Sequence, residues 1–271
     1  MSAATHPIIA LMTDFGLADP YVGMMKGVML GIAPDCRVVD ITHHIPAHDI
    51  LEAALVLRTS YRFFPTGTIF VVVVDPGVGS SRRPILIRTE RYFLVGPDNG
   101  VLSLACELEE CRDAFHLTSR KYFLDPVSNT FHGRDLFSPV AAWLSRGTAP
   151  ELLGERVPSF EKLDLPAARR SGNALIGSVL RIDSFGNLIT NISRQDLATL
   201  GTDADVPTIE IGEKVITRMC CAYAEAEPGE VFAIWGSSGL LEISANQASA
   251  AQILEANRHQ EFLLCVAQRS V

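Results

Sequence analysis

The sequence of 271 residues has no apolar run near the roughly 18 residues that a membrane-spanning helix needs. Its opening, Met1 to Pro7, lacks the basic and apolar stretches of a secretory signal. A net charge of −8 argues against a nucleic acid or an anionic membrane as partner, because both attract basic surfaces. The six cysteines form no CxxC pair and no Cys/His zinc spacing, so reduced thiols in a cytoplasmic protein are expected. The loop Trp235-Gly-Ser-Ser-Gly239 is rich in glycine but lacks the lysine signature of a P-loop. There is no internal repeat and no low-complexity tract. What remains, with 48% hydrophobic and 20% charged residues, is a soluble globular chain long enough for two domains.

Three apolar segments near the start end on polar residues. Pro7 to Thr13 closes on Asp14-Phe-Gly16, Cys36 to Thr42 closes on His43 and His44, and Phe70-Val-Val-Val-Val74 closes on Asp75-Pro-Gly-Val-Gly79. Four successive valines predict a strand covered on both faces, as in a parallel sheet. Helices are predicted between these strands. Asp19-Pro20 reads as an N-cap with proline in the first turn, opening a helix that Pro34 stops after Ile32. Asp49-Ile-Leu-Glu52 reads as a capping box opening the next. Strand–helix–strand–helix–strand predicts a parallel sheet, with Asp14, His43, His44 and Asp75 at one edge. Ligands in such sheets bind outside the carboxyl ends of the strands. A loop aspartate capping nearby amides is the plainer alternative for Asp75.

Short strands are expected at 84–88 and 91–95, a turn at Gly96-Pro-Asp-Asn-Gly100, a helix over 101–108 and an extended segment at 122–124. His132 falls just ahead of a helix over 139–144. Prolines and charges over 148–172 suggest a connection between domains. Short β-segments then follow at 174–182, 188–192, 208–211, 214–217, 231–235, 240–243 and 261–266, suggesting a small barrel or sandwich. The expected fold is an N-terminal Rossmann-like α/β domain (1–165) followed by a small C-terminal β-barrel (166–271). Within the latter, Asp183-Ser-Phe-Gly-Asn187 sets an aromatic ring beside amides, which suits a flat heterocycle, although Gly186 and Asn187 are also an ordinary turn pair.

Taken in order, Thr13-Asp-Phe-Gly16, Asp40-Ile-Thr-His43, Val74-Asp-Pro-Gly-Val-Gly79, Gly96-Pro-Asp-Asn-Gly100, Phe131-His-Gly-Arg-Asp135, Asp183-Ser-Phe-Gly-Asn187 and the serine loop at 236–246 resemble one family. It is that of the S-adenosyl-L-methionine hydroxide adenosyltransferases, relatives of fluorinating and chlorinating enzymes. The resemblance spans residues 8 to about 250 and implies a homotrimer. In such trimers the ligand lies between the N-domain of one subunit and the C-domain of its neighbour.

The resemblance also implies residue roles. Hydrolytic members carry an Asp–Arg–His set, matched by Asp75, Arg82 and His132, which halogenating members lack. By the same resemblance Asp14 meets the ribose hydroxyls, while Asp19, Asp183 and Ser237 hold the methionine amine and carboxylate. Asn187 and the backbone around Ala245 and Asn246 read adenine, with Phe185 and Glu242 as further substrate contacts. His48 and Ser238 fall where halogenating relatives carry an aromatic and an arginine. The implied reaction is hydrolysis of S-adenosyl-L-methionine to adenosine and L-methionine, with a small molecule as the only partner and no cofactor or metal. The sulfonium makes methionine a good leaving group, so water needs only to be held in line and to lose a proton, with Asp75 and His132 as acceptors. Halide transfer, a non-catalytic nucleoside-binding module, and a metal-dependent hydrolase built on His43, His44, His48 and Asp75 are the alternatives.

Overall fold

The computed structural model describes residues 7–200 and 207–266, and the chain divides into two compact units, Met1–Leu163 and Asp164–Val271. The first unit runs β1 (Ile8–Thr13), α1 (Tyr21–Ile32), β2 (Arg37–Thr42), α2 (Ile50–Ser60), β3 (Ile69–Val73), β4 (Pro84–Thr89), β5 (Phe93–Pro97), α3 (Ser103–Cys106), β6 (Cys111–Leu117), α4 (Ser138–Ser145), α5 (Pro150–Leu153) and β7 (Gly154–Val157). Its seven strands lie in the order β2-β1-β3-β5-β4-β6-β7. The β2-β1-β3-β5 half is parallel, as the sequence pattern requires, and β4, β6 and β7 extend it antiparallel.

Alternation along the strands builds two cores. Ile9 and Leu11 of β1, with Val71 and Val73 of β3, pack with Met25 and Met29 of α1 and Val140 of α4. Ala10 and Met12, with Phe70 and Val72, face the other way, toward Ala53 and Leu57 of α2. The central strands are therefore buried on both faces, which is why they read as continuous apolar runs.

Helix boundaries follow local chemistry. Asp49 caps α2, its Oδ1 accepting the Glu52 N–H at 2.9 Å. The N-cap of α1 is Pro20, with no side-chain cap, so Asp19 stands exposed one residue outside the helix rather than capping it. Of the extended segment expected at 122–124, Tyr122 closes a 3₁₀ turn over Arg120–Tyr122, while Phe123 has extended backbone. Part of the expected connection at 148–172 belongs to the first sheet, since β7 pairs with β6.

The second unit contains β8 (Arg169–Ser171), β9 (Ala174–Ile182), β10 (Leu188–Ser193), α6 (Arg194–Ala198), β11 (Thr208–Ile211), β12 (Lys214–Ile216), β13 (Met219–Cys220), β14 (Val231–Trp235), β15 (Leu240–Ala245), α7 (Ala250–Ile253) and β16 (Glu261–Cys265). Its strands form one sheet in the order β12-β11-β16-β9-β10-β15-β14-β13, with β8 on β9. A barrel was expected here; among the described residues no ladder joins the end strands β12 and β13. Leu175, Val179, Leu188, Ile243 and Phe262 are central to its core. Among the described residues, no helix is long and apolar enough to cross a membrane.

Candidate active site

In the first unit, Thr13 registers with Val73, so Asp14 and Asp75 leave adjacent parallel strands at one edge of the sheet. The chain then turns sharply. The Val78 N–H donates to Asp75 O at 3.2 Å, and the Ser80 hydroxyl donates to Gly77 O at 2.6 Å. Gly79 has φ +77°, and a Cβ there would sit 2.4 Å from Asn129 O. This close approach packs the loop after β3 against the segment that carries His132.

Arg82 joins the two. Its Nε donates to Asp75 Oδ1 at 2.9 Å, its Nη2 to Asp75 Oδ2, and Nη2 also lies 2.7 Å from His132 Nδ1. The guanidinium carbon sits 5.5 Å from the centre of the Phe137 ring. Only 5% of the Asp75 side chain and 10% of that of Arg82 are exposed. Arg82 Nη1 is buried with no hydrogen-bond partner among the described residues. Guanidinium has no acceptor, so His132 Nδ1 must accept and the imidazole proton must reside on Nε2. Burial, then the adjacent Arg82 charge, lowers the His132 pKa from its ordinary 6.5, which favours this neutral form. The trio thus carries one buried ion pair and a neutral imidazole whose remaining polar atom is a donor. His132 also lines a cleft of about 880 Å³ with His116, Arg120 and Asn129.

A second network braces the Asp14 turn. Buried Thr13 Oγ1 lies 2.8 Å from His43 Nδ1, and His43 Nε2 lies 3.0 Å from Asp40 Oδ1. Lys26 Nζ donates to Asp40 Oδ2 at 2.6 Å. Gly16 N–H donates to His43 O at 2.8 Å, and Asp14 Oδ2 accepts the His48 N–H at 2.9 Å. His43 is therefore committed to holding the ends of β1 and β2 together. Among the described residues, no group of three His, Cys, Asp or Glu side chains is arranged to hold a metal ion.

The second unit has a pocket of about 700 Å³ lined by Asp183, Phe185, Asn187, Tyr223, Ala245 and Ser249, among others. The turn from β9 to β10 shapes it. The Gly186 N–H donates to Asp183 O at 3.0 Å and the Asp183 N–H to Asn187 O at 3.1 Å. Gly186 has φ +85°, and a Cβ there would lie 2.0 Å from Ser249 Oγ. Phe185 is 78% exposed, its ring offered to whatever enters. Asp183 is heavily engaged: its carboxylate accepts from Phe185 N, Asn187 N and Asn187 Nδ2, each at 2.9 Å.

Not every expected contact faces this pocket. Asn246 donates through Nδ2 to Ala226 O at 2.7 Å, and its backbone pairs with Glu230 and Gly229. Ser237 and Glu242 are not among the lining residues. Glu242 is buried beneath Gly236, and its Oε2 accepts the Tyr223 hydroxyl at 3.1 Å. Burial raises its pKa, with the Tyr223 bond opposing. Asp19 is exposed, and the hydroxyl oxygen of half-buried Ser238 is shielded with no partner among the described residues. Sequence reasoning missed Tyr223, Gln247, Ala248 and Ser249. Of these only Ser249 left a local signal, as the serine cap of α7, where it accepts from Gln252 N at 3.2 Å.

Comparison with known proteins agrees over nearly the whole chain. Residues 9–154 match the model of the SAM hydroxide adenosyltransferase N-terminal domain, and residues 177–262 match that of its C-terminal domain. An (R)-S-adenosyl-L-methionine hydrolase of Thermus thermophilus is 40% identical, covering 91% of this chain and 94% of the relative. A fluorinase of Nocardia brasiliensis is 30% identical, covering 91% and 92%. A crystal structure of an uncharacterized conserved protein from Thermotoga maritima superposes with a TM-score of 0.89 at 36% identity, covering 95% of this chain and 99% of that one. The chain belongs to the SAM hydroxide adenosyltransferase family.

Proposed function

We propose that this chain hydrolyses S-adenosyl-L-methionine to adenosine and L-methionine. The observation that carries this reading is the Arg82 guanidinium bridging Asp75 and His132 in a buried cluster beside a cleft. In the reaction a water oxygen bonds to the ribose 5′ carbon as the carbon–sulfur bond breaks. The bonding pair leaves with methionine, which neutralises the sulfonium, and the water loses a proton. A carboxylate beside the water can take that proton, and Asp75 is the one available in the trio. His132, with its proton on Nε2, serves as a donor that orients the water oxygen rather than as the base. This refines the expectation that either residue accepts the proton. Arg82 offsets the charge of Asp75 and holds both partners, so positioning supplies most of the rate.

Support comes also from relatives named (R)-S-adenosyl-L-methionine hydrolase, at 33% to 40% identity over most of the chain. The second unit supplies the nucleoside site: Phe185 stacks on the base, and Asn187 with the backbone at Ala245 reads its edge. Asp14 serves the ribose hydroxyls. No cofactor is needed, since the sulfonium already supplies the leaving group. The assembly is a homotrimer, testable by analytical ultracentrifugation.

The function is tested by incubating the protein with S-adenosyl-L-methionine and chloride and identifying the nucleoside by mass. Adenosine is expected. A 5′-chloro nucleoside as the main product refutes hydrolysis, and tight binding without turnover supports a binding module instead.

A further inference from the structure

We infer that Asp183 is a positioning residue for base selection, fixing which way round the Asn187 amide meets a purine. This rests on the nucleoside reading of the second unit's pocket.

The acceptor capacity of Asp183 is nearly used up within its own turn. Asp183 Oδ1 accepts two backbone N–H groups, those of Phe185 and Asn187, and Oδ2 accepts Asn187 Nδ2, each at 2.9 Å. An ionised carboxylate only accepts, so the Asn187 atom facing it must be the nitrogen. That removes the usual ambiguity between the two ends of an amide. Asn187 Oδ1 consequently faces away from Asp183, and the amide retains one further N–H. The turn that holds the pair is itself fixed, because Gly186 lies against Ser249 with no room for a side chain. Both Asp183 and Asn187 line the pocket, beside the exposed Phe185 ring.

A purine stacked there meets one acceptor and one donor in a set order. Adenine answers them, its exocyclic amine donating to Oδ1 and a ring nitrogen accepting the N–H. A 6-oxo purine in the same pose sets its carbonyl oxygen against Oδ1, two acceptors with no proton between them. Asp183 thus selects the 6-amino purine without touching it. With Oδ1 already taking two donors, Asp183 has one acceptor position left, on Oδ2, for any substrate ammonium.

Asp183→Asn tests this. An asparagine at 183 can donate to Asn187 Oδ1, which lets the Asn187 amide turn over and offer N–H groups to a 6-oxo group. Calorimetric titration with adenosine and with inosine gives both affinities on each protein. Wild-type protein is expected to prefer adenosine by roughly ten- to hundredfold, the range for one mispaired buried polar group. Asp183→Asn is expected to lose most of that preference. The ratio cancels partial unfolding, since both nucleosides report on the same folded fraction. Should Asp183→Asn fail to fold, Asp183→Ser, which keeps an oxygen for the turn's N–H groups, is titrated instead with the same expected loss. An unchanged ratio in a folded variant overturns the inference and leaves Asp183 a mere brace of the turn. Wild-type protein that binds neither nucleoside overturns the nucleoside reading, and this inference with it.

Discussion

Asp75→Asn separates charge from shape at the centre of the buried trio. The native carboxylate accepts from both Arg82 Nε and Arg82 Nη2. An asparagine oxygen can accept one of these, while its nitrogen turns a donor toward a donor. Asp75 and Arg82 are 5% and 10% exposed, so water compensates little. Removing one partner of a buried ion pair costs about 3–5 kcal/mol. The same change removes the proton acceptor, for which the expected loss of turnover is about 10²–10⁴-fold. These two effects are separable. Adding Arg82→Met removes the stranded cation and is expected to recover part of the stability, the remainder being lost because the asparagine and His132 Nδ1 no longer have Arg82 as donor. It should recover none of the rate. The assay is adenosine release under single-turnover conditions, with a thermal melt and an adenosine titration on each variant. Adenosine affinity should change little. Near wild-type turnover by Asp75→Asn refutes the assignment of Asp75 as base.

Further predictions follow from the same geometry. His132 has a lowered pKa in the fold, so below pH 6.5 the unfolded chain binds a proton that the folded chain does not. Its contribution to stability therefore falls as pH drops below that value and levels off once His132 titrates in the fold; His132→Asn should flatten this limb in melts taken across pH. Turnover should persist below pH 6.5 and fail only when protonation takes Nδ1 from Arg82, which a pH–rate profile reads. Gly79→Ala should damage activity far more than Gly67→Ala: both have positive φ, but only at Gly79 would the added carbon strike a backbone atom, at 2.4 Å. Equal effects on kcat would contradict the packing described for that loop. Asp14→Ala should weaken adenosine binding roughly ten- to hundredfold, as for lost hydrogen bonds to a charged group, and calorimetry checks it.

The central part of the first unit was legible because its strands are buried on both faces and its helices carry proline and capping signals. Asp75, Arg82 and His132 could be nominated from β3 and its loop with the family motif, and the structure brings them within hydrogen-bonding distance. Strands β6 and β7 were not legible. Cys111–Leu117 mixes charged and apolar residues, and Gly154–Val157 lies among prolines and charges that read as a connection. Both are specified by cross-strand partners, which no local window shows. The role of His43 was hidden for the same reason: Thr13 and His43 meet only because β1 and β2 are neighbours. Asp19 misled because an Asp-Pro pair satisfies the local rule for a cap while the structure places Pro20 at that position. Asp183 could be nominated from its motif, but its spent lone pairs could not, because they depend on the closed turn at Gly186.

The most direct test of the account is the origin of the 5′ oxygen in the product. The protein is incubated with S-adenosyl-L-methionine in oxygen-18 water containing chloride, and the nucleoside is analysed by mass and fragmentation. The account predicts adenosine carrying one heavy oxygen on the 5′ carbon, released together with methionine, and loss of that product in Asp75→Asn. Unlabelled adenosine, or a 5′-halogenated nucleoside in its place, would contradict it.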